Sequence, residues 1–152
     1  MDLVVIGFGL IIGGLAGKYV FEIILGHAYY KKNKLSYSAT DWFLILVSLL
    51  ISFILFIIIP LMGKELAGTQ YPSIVYLPYF PIVTGMVYGF LAKSVSRKEA
   101  DNYKARNYII WLTPVFVNFN ICWKKRESGW LIYLSSWLIV LVGFFLFYIS
   151  TI

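Results

Sequence analysis

The chain has 152 residues, 61% of them hydrophobic and only 13% charged, with a mean hydropathy of +0.82. Soluble domains of this size carry about 25% charged residues, so composition alone places the chain in the membrane class. The net charge of +6 is gathered in short basic clusters between apolar runs, which argues against nucleic acid as a partner and for topology-setting charge and anionic lipid head groups.

A membrane-crossing helix needs about 20 mainly apolar residues. Residues 3–25 supply the first, with Lys18 and Glu22 near its C-terminal end. Met1 and Asp2 lack the basic start of a cleavable signal, so a retained helix is expected. Residues 27–40 are polar and carry Lys31, Lys32 and Lys34, after which Ser38 to Asp41 reads as a helix start. Residues 42–61 form the cleanest span, closed by Pro60.

The third span, residues 73–92, is crowded by Pro72, Pro78 and Pro81. Proline lacks a backbone donor and clashes with the preceding turn, and from Pro81 to Ala92 only about 18 Å of helix remains. Pro78 and Pro81 are therefore expected to break this helix, giving a kink or an extended piece leading into a half-helix. Residues 93–107 hold five basic residues. Residues 108–123 are apolar but short, interrupted by Pro114, Asn118 and Asn120, and followed by Lys124, Lys125 and Arg126. A final span covers residues 130–152, with Trp130, Tyr133, Trp137 and Tyr148 read as interfacial anchors.

Charge asymmetry favours four crossings over five. If 108–123 does not cross, eleven basic residues lie on the inner side and one outside, with Lys18 left in its helix. If it crosses, the balance falls to eight against four. The expected fold is an all-α polytopic membrane protein, one integral domain over residues 1–152. It has four transmembrane helices, the third proline-broken, and one interfacial or re-entrant segment at 108–123. Both termini are expected outside the cytoplasm of a prokaryotic cell. Arg106, Lys124, Lys125 and Arg126 would then meet lipid head groups or a partner.

Three features could carry function. Gly9, Gly13 and Gly17 recur every four residues, and Gly85 and Gly89 form a second such pair; missing side chains let helix backbones approach closely in lipid. Lys18 and Glu22 are an intramembrane polar pair on one helical face, the default place to look for an ion or proton site. The blander alternative has Lys18 snorkelling to the head groups while pairing with Glu22. The proline-broken third span is the remaining candidate, since transporters expose backbone groups at broken helices.

Catalytic motifs are missing from the sequence, one cysteine (Cys122) forms no intrachain disulfide, and no Cys/His spacing suggests a metal site. No cofactor, metal or small-molecule ligand is expected. The glycine-rich first helix ending in Lys18-Tyr19 resembles that of small four-helix fluoride channels. The second span lacks that family's asparagine-glycine pattern, so no residue role is carried over. The leading expectation is a small non-enzymatic membrane subunit that packs through its glycine faces. It would be an accessory, scaffold or assembly component whose partners are the lipid bilayer and other membrane subunits or copies of itself. A homo-oligomeric channel or transporter using Lys18, Glu22 and the third span is the first alternative, and a toxin-antagonist immunity protein is the second.

Overall fold

A computed structural model of the chain describes residues 2–32, 34, 36, 39–67, 70–99 and 128–152, and among them the regular structure is all helical. Helix α1 spans Leu3–Lys32, α2 Ala39–Phe53 and α3 Ile59–Ala67. A wider π-turn, Ile54–Ile58, joins α2 to α3 without interruption. A 3-10 turn at Pro72–Tyr76 precedes α4, Tyr79–Glu99, and α5 covers Ser128–Thr151. Three stretches, Leu3–Leu25, Pro72–Val95 and Leu131–Thr151, are long and apolar enough to cross a membrane. This is the make-up of a membrane protein.

The first helix is the hub, packed along its length against both α4 and α5, which barely touch each other. Gly9, Gly13 and Gly17 meet Phe80, Thr84 and Tyr88 in the same order, so α1 and α4 run parallel. Gly7 and Gly14 meet Phe147 and Val140 in reverse order, so α5 runs antiparallel to α1. One end of the bundle therefore gathers the N-termini of α1 and α4 with the C-terminus of α5. There the Asp2 carboxylate accepts a 2.7 Å hydrogen bond from Ser73, and the Asp2 N–H donates to the same hydroxyl at 3.2 Å. The opposite end gathers the C-termini of α1 and α4 with Lys31, Lys32 and Lys93, all exposed.

Several boundaries differ from expectation for identifiable reasons. Helix α1 continues seven residues past Leu25 to Lys32, because apolarity ends there but helix propensity does not; lysine is a good helix former. Just beyond, Lys34 adopts a left-handed backbone (φ 53°) and its N–H bonds back to the Lys31 carbonyl. This is a usual way to stop a helix.

The expected half-helix at 81–92 is corrected to a 21-residue α-helix, about 31 Å long at 1.5 Å per residue. Pro78 lies in the turn before α4 and Pro81 in its first turn, where a missing N–H leaves no intrahelical bond unmade. The break therefore falls before Tyr79, and the helix runs on past Ala92 through Lys93 to Glu99.

Pro60 likewise does not close its helix. The N–H of Ile59 reaches back five residues to the Ile54 carbonyl. This wider turn accommodates a proline ring where an ordinary α-turn would clash. Pro60 is fully buried, and nearby Phe56 enters a core with Leu15, Ala16, Leu77 and Val140. N-terminal to the π-turn, α2 leaves Trp42, Phe43, Leu46 and Leu50 exposed. The segment 108–123 lies outside the described residues, as do Arg106, Lys124, Lys125 and Arg126.

Candidate functional site

Lys18 and Glu22 sit about 22 and 28 Å along α1 from Leu3, at 1.5 Å per residue. Their side chains are 1% and 0% exposed. Burying a charge in apolar surroundings costs several kcal/mol unless it is paired, so the partners matter. The Lys18 ammonium lies 3.4 Å from Oε1 and 3.5 Å from Oε2 of Glu22. Both distances exceed the roughly 2.7–2.9 Å of a tight charge-assisted hydrogen bond.

The slack is explained by a second set of contacts. The ammonium lies 5.1 Å from the ring centre of Trp137 and 5.6 Å from that of Tyr133, within the roughly 6 Å reach of a cation–π attraction. Two side chains four apart on α1 thus face two side chains four apart on α5. Lys18 does not snorkel to the head groups; it is held inward by the rings. Tyr133 and Trp137, read from sequence as interfacial anchors, turn inward to line this spot instead.

Further polar groups surround the pair. Tyr133 approaches the Glu22 carboxylate from α5. Tyr19, 3% exposed, brings its hydroxyl toward Ser52 of α2. The Tyr19 hydroxyl and Glu22 Oε1 are buried atoms that make no geometrically complete hydrogen bond. Tyr88 and Ser135 tie α4 to α5 through a 2.6 Å hydroxyl–hydroxyl bond. Tyr88 also meets Phe21 edge-on. Tyr88→Phe is expected to loosen α4 from α5 by about 0.6 kcal/mol, typical of such bonds between membrane helices. A detergent-unfolding curve would register it; an unchanged curve with Ser135→Ala as well would mean the bond contributes nothing.

The glycines serve two interfaces within the chain. A methyl group added at Gly9 or Gly17 would overlap the rings of Phe80 or Tyr88, and one at Gly13 would press on Thr84. The side chains 80, 84 and 88 thus form a ridge lying in the trough of Gly9, Gly13 and Gly17. Lower down the roles reverse, and Gly85 and Gly89 receive Val20 and Ile24 of α1. On the other side of α1, Gly7 lies against the backbone of Gly143 and Phe147, and Gly14 against Ser136 and Val140. The sequence reading missed this second interface. Its signal was a seven-residue spacing on both helices: Gly7 with Gly14 on α1, and the small residues Gly129, Ser136 and Gly143 on α5.

Of the other polar residues, His27 is exposed on the helical extension beyond the apolar stretch. Among the described residues no group of three or more His, Cys, Asp or Glu could hold a metal ion. Chemically, the site can hold one positive and one negative charge in mutual neutrality, screened from lipid by aromatic rings. No protein-family model, no curated protein and no solved structure matches the chain.

Proposed function

We propose that the chain is a small, non-enzymatic integral membrane subunit that crosses the bilayer four times and serves as an accessory, scaffold or assembly component. The observation that carries this reading is the packing of α1, α4 and α5 among the described residues. Lys18 and Glu22 neutralise each other behind Tyr133 and Trp137, and the glycine troughs are filled by helices of the same chain. Such an interior suits a rigid packing element better than a route for solute.

Helix directions support the crossing number. Parallel α1 and α4 require the chain between them to return across the membrane, and the helical run 39–67 is long enough to do so. The antiparallel course of α5 on α1 supports a reading with four crossings. The grouping of Lys31, Lys32 and Lys93 at one end favours that end as cytoplasmic, with both termini on the far side and a prokaryotic cytoplasmic membrane as the location.

Because the glycine faces are occupied within the chain, partner subunits or further copies would dock elsewhere. Purification from native membranes in mild detergent tests the reading. Stoichiometric co-purifying membrane subunits are expected; a chain recovered alone would sink it. The buried pair favours one other reading, a small channel or transporter. That reading requires reconstituted protein to pass ions or solutes with a flux altered by Glu22→Gln, whereas the subunit reading expects silent liposomes.

A further inference from the structure

Helices α4 and α5 both pack on α1 but barely touch each other. The Tyr88–Ser135 bond ties them in the half of the bundle that holds Lys18 and Glu22. Toward the other end, below Asp2, the approach to α4 and the last turns of α5 leave a groove of about 150 Å³ between them. Val4 and Phe8 of α1 form its floor, Tyr71 and Ile74 one wall, and Phe147 of α5 the other. Only apolar surface lines it, so it offers water no polar partner and suits hydrocarbon. Its depth fits an acyl chain. Val4 and Phe8 lie about 3 and 9 Å along the helix axis from Asp2, and the apolar stretch of α1 begins at Leu3. A lipid whose chain enters this groove therefore sets its head group at the level of Asp2.

The mouth of the groove is polar. Asp2 and Ser73 extend its floor and one wall, and the Ser73 hydroxyl donates to the Asp2 carboxylate at 2.7 Å. That bond fixes the carboxylate without neutralising it, and Asp2 stays exposed. Two residues before Ser73, the Tyr71 hydroxyl accepts a 3.4 Å bond from the Gln70 amide, again at the surface. Helix α3, packed on the same 3-10 turn, brings Lys64 and Glu65, whose charges cancel. Helix α5 ends here without a charged side chain, so Asp2 sets the sign of this end. A cation complements it, and an anionic head group is repelled. We propose that the groove is a phospholipid site for a lipid whose head group ends in an ammonium. One acyl chain lies between Ile74 and Phe147, the ammonium pairs with Asp2, and Gln70 and Tyr71 donate to the phosphate. The site stands whichever partner the chain serves.

Photo-cross-linking of the full chain in vesicles of phosphatidylethanolamine and phosphatidylglycerol tests this. A trace of either lipid carries a diazirine near the head-group end of its acyl chain, and labelled residues are read by peptide mass spectrometry. Labelling of Ile74 and Phe147 is compared with that of Phe145, which is exposed at nearly the same depth. The phosphatidylethanolamine probe is expected to label the groove roughly fivefold more than the phosphatidylglycerol probe, the upper end for an exposed ion pair. Asp2→Asn retains an acceptor for Ser73 but not the charge, and should abolish the preference. Val4→Phe fills the groove from its floor and should lower labelling by both probes. If that variant fails to accumulate, Ile74→Phe fills the groove from the wall, and labelling is read at Phe147. Equal labelling by the two probes, or a preference that survives Asp2→Asn, would overturn the proposal. So would a groove that neither probe reaches in a chain that migrates as a dimer, since a second copy would then occupy it.

Discussion

Gly143→Ala is expected to destabilise the bundle by roughly 2–3 kcal/mol, a large effect for one methyl group. The added carbon would lie 2.7 Å from the Gly7 carbonyl oxygen and 2.8 Å from the Ile11 nitrogen. Both are main-chain atoms of α1, so no side-chain rotation relieves the overlap and the two helices must separate. Gly85→Ala is the matched comparison. There the nearest atom is a Val20 methyl at 3.6 Å, an ordinary contact. Alanine also favours helix over glycine by about 1 kcal/mol, so this change is expected to be neutral or mildly stabilising. Equilibrium unfolding in mixed micelles would compare the two. Equal effects would mean that backbone contact between α1 and α5 is not what holds them together.

The second large effect concerns the buried pair. Glu22→Leu leaves the Lys18 ammonium with aromatic rings but no counter-charge, and is expected to cost about 3–5 kcal/mol. Lys18→Met strands the carboxylate and should cost a similar amount. The double replacement removes both charges together and is expected to recover most of the loss, within about 1–2 kcal/mol of the parent. The same unfolding assay, run as a double-mutant cycle, measures the coupling. Additive single losses would show that the two groups do not depend on each other.

These expectations separate what the sequence makes visible from what it hides. Apolar length is a one-dimensional property, so residues 3–25 are legible as a span, and that stretch recurs unchanged among the apolar helices. Helix ends are less legible, because Lys31, Lys32 and Lys93 end the apolarity without ending the helix. Pro60 reads as a stop only if every turn is an α-turn, and the π-turn beside it changes that premise. The spacing of Gly9, Gly13 and Gly17 marks a close contact but carries no information about which helix fills it. Tyr133 and Trp137 mislead for a related reason. Aromatic residues near the end of a span suit an interface and an inward-facing cation equally well, and only the rotation of α5 decides between them.

The hub position of α1 also has a consequence in time. Its two partners, α4 and α5, are synthesised long after it, and Tyr133 and Trp137 follow Glu22 by roughly a hundred residues, on the order of ten seconds of translation. Throughout that interval the nascent helix carries a lysine and a carboxylate into the bilayer without their aromatic cover. Until α5 arrives, an exposed pair of charges in lipid is costly, and a shielded setting or a Lys18 that reaches water lowers that cost. Arrival of α5, rather than entry of α1, is what completes the aromatic cover over Lys18.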